Sequence, residues 1–285
     1  MANTAENAPR RTIRSVEIAF NIIDVLQEKG GAGVTELANE LDHSKSTIHS
    51  HLRTLEEREI LVREGDGYRM SLKILDMATH VREQVGNYDV IRNEVDTLAD
   101  ETGEIAQFGL EEHGKVSYLY KTTGERGVET ASRVGTQQPM YSTSLGKTIL
   151  AYLPEDRTEE IVQAQDYEAL TPQTITSQEE LYEDLEEIRE RGYGIDDEEN
   201  FEGLRCVSAP VKNEETVLGA VSITGPSSRF TDERIHGDLA EYARRTANVI
   251  ELNMINLCWN VTNWLVRLFT TFQFSNELLS SDEVR

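Results

Sequence analysis

The stretch VTELANELDHSKSTIHSHLRTL, residues 34–55, decides how this chain folds. Val34 to Leu41 makes a short amphipathic helix with Leu37, Ala38 and Leu41 on one side, Asp42-His43-Ser44 is a turn, and Lys45 to Glu57 is a second helix. In that second helix Ile48, Leu52 and Leu55 recur at i, i+4 and i+7, so they share a face that must be buried. Ser46, His49, Ser50 and Arg53 then point outward, with Lys45 and Thr47 at the helix start. Two helices joined by so short a turn form a helix-turn-helix. Short hydroxyls, an imidazole and a guanidinium suit base edges and phosphates in a DNA major groove. His49 and His51 stand at i and i+2, which point apart on a helix, and no cysteine is near, so they do not read as a zinc site.

Working outward, Ser15 to Gln27 carries apolar residues at helical spacing, with Val16, Ala19, Phe20, Ile23 and Leu26 predicted to face inward, and the glycines at 30, 31 and 33 end that helix. Downstream, Leu61-Val62-Arg63 and Tyr68-Arg69-Met70 flank Glu64-Gly65-Asp66-Gly67, the pattern of a hairpin. Three helices and a hairpin make a winged helix, expected over residues 10–71. Its wing offers Arg63, Tyr68 and Arg69 to a DNA backbone, and Arg10, Arg11 and Arg14 form a basic arm for phosphate or a minor groove. A linker helix is expected next, within 72–87, from the spacing of Leu72, Leu75, Met77, Ala78 and Val81.

Charge supports placing nucleic acid on this segment. The chain has 285 residues and a formal net charge of −24, yet residues 1–85 hold 11 basic against 14 acidic side chains, which leaves the rest of the chain at −21. Only seven of the 28 basic residues are lysine, so the surface reads as one suited to molar salt, where charge repulsion is screened within ~3 Å, and a halophilic source is expected. The segment MANTAENAPRR has no apolar h-region, and no apolar run approaches the ~18 residues of a membrane span, so a cytoplasmic protein without membrane partners is expected. Two cysteines, Cys206 and Cys258, are too few to staple such a chain.

The second part, 88–256, alternates. Helices are predicted at 89–102, 146–153, 157–165, 177–191 and 231–256, and strands at 105–110, 115–121, 129–134, 205–212 and 216–224. That mixture implies an α+β domain, an antiparallel sheet with flanking helices. Within it, STSLGKT (142–148) resembles the end of a phosphate loop, but the glycine that such a loop needs five residues before Gly146 is Tyr141. What remains is a helix start, with Ser144 as its N-cap, whose free amides attract small anions. Lys147 is then expected at the rim or surface. Ser222 and Thr224, two apart on a strand, present hydroxyls to one face. Cys206 has no histidine within 196–224 to serve it as a base, and the run Asp196–Glu199 lacks the alternate spacing of a calcium loop and reads as solvated surface, as do the glutamates of 177–191. The last stretch, 257–285, holds both tryptophans and three of the seven phenylalanines but only three acidic residues, an atypical aromatic tail.

Taken together, RSVEIAFNIIDVL, VTELANELDHSKSTIHSHLRTLEEREIL, GYRMSLKILDMA, STSLGKTILAYLP, RGYGIDDEENFEGLRCVSAPV and VLGAVSITGPSSRFT, in this order over about residues 12–256, resemble the IclR family of transcriptional regulators. The resemblance implies a winged helix, a linker helix and a C-terminal GAF/PAS-like domain that binds a small carboxylic or aromatic acid. It also implies a non-enzymatic regulator that needs no cofactor or metal and acts as a homodimer or tetramer on double-stranded operator DNA. By match of position, the effector pocket would comprise Ser144, Leu145, Gly146, Asp196, Leu204, Cys206, Ser222 and Thr224. Three departures stand out: Ser144-Leu145 replaces the glycine-alanine pair of a glyoxylate-responsive member, Glu59 replaces the usual glycine before the wing, and the tail has no counterpart. The competing reading is a small-molecule-binding or thiol redox enzyme of GAF type fused to a winged helix.

Overall fold

The computed structural model describes residues 12–85, 87–213 and 216–254. Arg10 and Arg11 of the basic arm, Cys258 and the aromatic tail 257–285, all named above, lie outside the described residues. Contacts divide the chain into two compact units, Met1–Gly86 and Asn87–Arg285.

The first unit contains α1 (Arg14–Lys29), β1 (Ala32–Gly33), α2 (Val34–Glu40), α3 (Lys45–Glu57), β2 (Leu61–Glu64), β3 (Gly67–Met70) and α4 (Lys73–Val85). Ile48 and Leu52 of α3 are fully buried against Leu37 and Ala38 of α2 and Ile18, Ile22, Val25 and Leu26 of α1. The α1 register therefore differs from the prediction: Val16 and Phe20 are exposed, because α1 carries two apolar stripes and the core takes the one containing Ile22. The wing has three strands, in the order β1-β3-β2. The edge strand Ala32–Gly33, too short to show a period, pairs Ala32 with Tyr68. Glu59 adopts φ 63°, the left-handed region that costs a side-chain-bearing residue roughly 1–2 kcal/mol, which explains why glycine suits this position. Lys73 at the start of α4 donates to Glu59 Oε2 (3.0 Å) and the Arg58 carbonyl (3.2 Å), tying that turn to the helix.

The second unit opens with α5 (Tyr88–Thr102), followed by β4 (Ile105–Glu112), β5 (Lys115–Thr123), β6 (Gln137–Pro139), α6 (Ser144–Tyr152), α7 (Glu155–Ala164), α8 (Gln178–Arg191), β7 (Gly194–Asp197), β8 (Leu204–Asn213) and β9 (Thr216–Pro226). A short α9 (Asp232–Arg234) leads through a π turn at Ile235–Leu239 into a helix over 240–254. The six strands form one antiparallel sheet in the order β6-β5-β4-β9-β8-β7. Two strand predictions need correction. Residues 129–134 are not a strand, the third strand being Gln137–Pro139, and Gly194–Asp197, not predicted as a strand and with its last two residues in the run read as solvated surface, pairs with β8. On α8, Leu181, Leu185 and Ile188 are buried, so only its other faces are solvated.

Register places polar residues in rows across this sheet. Lys121 stands opposite Gln107, Gln107 opposite Ser222, Ser222 opposite Ser208, and Ser208 opposite Gly194. Two residues along each strand, and so on the same face, Ile105, Thr224, Cys206 and Asp196 form a second row. The intervening positions Ala106, Phe108, Val207, Ala209, Val221 and Ile223 are all fully buried and apolar. The sheet thus has one apolar face and one face that mixes apolar and polar groups beneath α6.

Candidate functional site

Two surfaces carry chemistry. On α3, Ser44 is the N-cap, its Oγ accepting from the Thr47 amide at 3.1 Å and lying 2.8 Å from both Ser46 Oγ and Thr47 Oγ1. The hydroxyls of Ser46 and Thr47 are therefore engaged in starting the helix, and Ser50 Oγ donates to the Ser46 carbonyl (3.0 Å). Lys45, His49 and Arg53 are exposed, with Arg53 Nε donating to Glu57 Oε1 at 2.9 Å one turn on. Arg14 and Arg63 are exposed as well, while Arg69 is half-buried and paired with Glu64 at 2.7 Å. Tyr68 needs correction: it is 6% exposed and packed in the winged-helix core, because β3 is the central wing strand and turns that position inward, so its ring is not offered to DNA.

In the second unit the polar face of the sheet and the start of α6 enclose a cavity. Ser144, Leu145, Asp196, Leu204, Cys206, Ser222 and Thr224 line it, together with Gln107, Tyr118, Thr130, Ser132, Thr143, Asn200 and Phe201, which the sequence did not single out. The cavity volume is about 30 Å³, room for one or two waters, within about 420 Å³ of empty space that includes its mouth. Filling it with an organic molecule requires the wall to yield, and Phe201, 38% exposed, is the part of that wall least enclosed by other groups.

Gly146 does not line the cavity. A Cβ there would come within 2.4 Å of the Met140 carbonyl oxygen, so glycine lets the 140–146 segment close on itself. The N-cap of α6 is Thr143, not Ser144: its Oγ1 accepts from the Gly146 amide at 3.1 Å. The amides of Ser144 and Leu145, on the cavity wall, have no acceptor within the helix.

Asp196 and Glu199, taken above for solvated surface, are 3% and 7% exposed. Asp196 Oδ1 accepts from the amides of Glu199 (2.8 Å) and Asn200 (3.3 Å), but burial, with Glu199 nearby, outweighs these contacts and lifts its pKa to about 7. Burial and the neighbouring Asp196 push the Cys206 thiol well above its ordinary value, and Thr224 Oγ1 donates to Cys206 Sγ at 3.2 Å. A thiol so held stays protonated at neutral pH, the opposite of an activated nucleophile.

Lys147, expected at the rim, is 2% exposed. Its ammonium meets Glu199 at 2.5 Å and Asp184 of α8 at 2.8 Å, and Asp184 also takes Arg191 at 3.2 Å. The two carboxylates outweigh desolvation and raise the lysine pKa. Because Glu199 follows Asp196 by three residues, this network holds the turn that forms the cavity wall, and the lysine's charge is already met by carboxylates.

At the other end of the polar row, Lys121 is half-buried. Its Nζ donates to Thr130 Oγ1 (2.6 Å), the Ser132 carbonyl (2.7 Å) and Ser132 Oγ (3.1 Å). Ser132 Oγ also accepts from Gln107 Nε2 (2.8 Å), and Gln107 Oε1 accepts from Ser222 and Thr224, both at 3.4 Å.

Among the described residues no group of His, Cys, Asp and Glu is placed to hold a metal, and no helix is long and apolar enough to cross a membrane. Residues 15–65 match the family model described as the IclR helix-turn-helix domain, and residues 83–252 match that of the bacterial transcriptional regulator IclR C-terminal. The chain is 34% identical over 255 residues, 88% of its length and 97% of the other's, to a probable HTH-type transcriptional regulator, ArcR, of Halobacterium salinarum. Among solved structures it is similar to the IclR of Thermotoga maritima (TM-score 0.73, 29% identity, 85% of this chain and 99% of that one). It shares its fold with an IclR homolog from Microbacterium hydrocarbonoxydans complexed with 4-hydroxybenzoate (TM-score 0.72, 18% identity, covering 85% and 99%).

Proposed function

Since the chain belongs to the IclR family of DNA-binding transcriptional regulators, we propose that its hold on operator DNA is set by a small organic acid taken into the cavity of the second unit. The observation that carries this reading is the convergence of Ser144, Leu145, Asp196, Leu204, Cys206, Ser222 and Thr224, from four separate segments, on one cavity. The Ser144 and Leu145 amides favour an anion, and the serine and threonine hydroxyls serve its oxygens. Asp196 repels a carboxylate when ionised, so the part of the ligand that meets it carries a hydroxyl, in a hydroxylated aliphatic or aromatic acid. That a protein of the same fold is complexed with 4-hydroxybenzoate is consistent with this class.

The DNA-reading side chains are those α3 leaves exposed, chiefly Lys45, His49 and Arg53, with Ser46, Ser50 and Thr47 near the phosphates and Arg14, Arg63 and Arg69 on the flanks. The protein acts as at least a dimer. Its exposed apolar residues Val16 and Phe20 on α1, and Leu72, Leu75, Met77 and Val81 at α4, suit a second copy. Two recognition helices about 34 Å apart then read a pseudo-palindrome.

A gel-shift assay on DNA upstream of the chain's own gene, at near-physiological salt, tests both levels. Wild type shifts the DNA, Arg53→Ala weakens binding by about 1–3 kcal/mol without lowering the melting temperature, and an acid that raises the melting temperature alters the shift. An acid that stabilises the protein yet leaves the shift unchanged sinks the proposed coupling.

A further inference from the structure

We propose that Lys121 is the residue that makes the cavity specific for acids, taking the effector's carboxylate at the end of the polar row opposite Asp196. This rests on reading the cavity as the effector site.

The first ground is an uncompensated charge. The chain carries 52 acidic against 28 basic side chains, and its other deeply placed lysine, Lys147, is met by two carboxylates. Lys121 is withdrawn from solvent enough for desolvation to lower its pKa, yet among the described residues it forms no ion pair, and all three of its acceptors are neutral. Glu129 lines the same shallow surface hollow as Lys121 but does not pair with it, so among the described residues this partly buried ammonium in so acidic a protein has its counter-charge still to come.

The second ground is position. Thr130 and Ser132, to which the ammonium donates, themselves line the cavity, so Lys121 is one hydrogen bond behind its wall. The chain of contacts from Lys121 through Ser132 to Gln107, and on to Ser222 and Thr224, runs along the cavity's polar lining. A carboxylate at Thr130 and Ser132 replaces two neutral acceptors with a charged one, without the ammonium having to cross the sheet.

The third ground is polarity. Lys121 is on β5 and Asp196 on β7, with β4, β9 and β8 between them. The cavity therefore attracts an anion at one end and disfavours it at the other, which orients a hydroxylated acid with its carboxylate toward Lys121 and a hydroxyl toward Asp196.

The alternative is that the α6 amides alone select for an anion, and one experiment separates the two. Dissociation constants of full-length protein are measured by calorimetry at fixed ionic strength for gluconate, malate and 4-hydroxybenzoate, each beside its neutral amide. The proteins are wild type, Lys121→Gln and Lys121→Arg. Wild type prefers at least one acid to its amide by about tenfold or more, equivalent to about 1.4 kcal/mol. Lys121→Gln, which still hydrogen-bonds Ser132, brings that ratio close to one by weakening the acid and sparing the amide, and Lys121→Arg restores much of it. An acid preference that survives in Lys121→Gln assigns selection to the α6 amides and overturns the proposal while leaving the effector reading intact. Failure of wild type to bind any of the six probes overturns both for this ligand class.

Discussion

Lys147 and Lys121 both stand behind the wall of the same cavity, Lys147 through Glu199 and Lys121 through Thr130 and Ser132, yet the fold treats them in opposite ways. Lys147 sits in an apolar helix, almost wholly buried, and its charge is matched by Glu199 and Asp184. Lys121 sits near the outer end of a strand, half exposed, hydrogen-bonded but unmatched. The difference teaches how to tell a lysine that holds a structure from one that waits for a ligand. Burying a charge is costly, so a cation that serves only the fold comes with its anions, whereas one left unmatched is tolerable only where water still reaches it.

The sharpest way to break this comparison is Lys147→Met. It leaves Glu199 and Asp184 buried with less compensation, and urea unfolding should show a loss of about 3–5 kcal/mol, partly recovered in Lys147→Met/Glu199→Gln. Unchanged stability would show that the pair contributes nothing and that the contrast with Lys121 is empty.

Asp196 gives the next effect. Its pKa of about 7 in the folded protein lies above the ordinary 3.8, so the native state binds the proton more tightly than the unfolded chain does. The associated stability is complete below about pH 4 and is lost as pH rises through 7. Relative to Asp196→Asn, wild type should therefore lose on the order of 2–3 kcal/mol between pH 5 and 8. A pH-independent difference between the two proteins would contradict the burial argument.

Lys121→Gln without ligand should cost less than about 1 kcal/mol, since it removes no ion pair and keeps a donor. A loss as large as that of Lys147→Met would make Lys121 a structural lysine too. Smallest of all is Glu57→Ala, which deletes the partner of Arg53 on the open face of α3. An exposed i,i+4 pair contributes about 0.3–0.5 kcal/mol, and melting should barely move.

The winged helix was largely legible because its signals are local: α2, the turn and α3 follow one another, and Ile48 and Leu52 repeat at the helical period. Where it misled, at Val16, Phe20 and Tyr68, the sequence offered an apolar or aromatic residue and could not say which of two faces the core would choose. The cavity was legible only in part, since its walls come from strands distant in sequence. Gln107 did leave a mark, as the one polar residue in the run IAQFGL (105–110), and Lys147 another, as a charge set before ILA. Neither shows burial by itself, because the carboxylates that make Lys147 tolerable are 37 and 52 residues away. Gly194–Asp197 could not be read as a strand because its partner β8, not its own four residues, makes it one.

The row Lys121, Gln107, Ser222, Ser208 has one consequence for changing what the protein senses. Its four members stand on four adjacent strands in a single register, held by backbone pairing that does not depend on which side chain is present. The row is thus a set of positions at which a library of substitutions can vary size and polarity one at a time while the strands stay put. None of them lies in α3, so, if the cavity is the effector site proposed above, response to a new ligand can be selected against an unaltered operator.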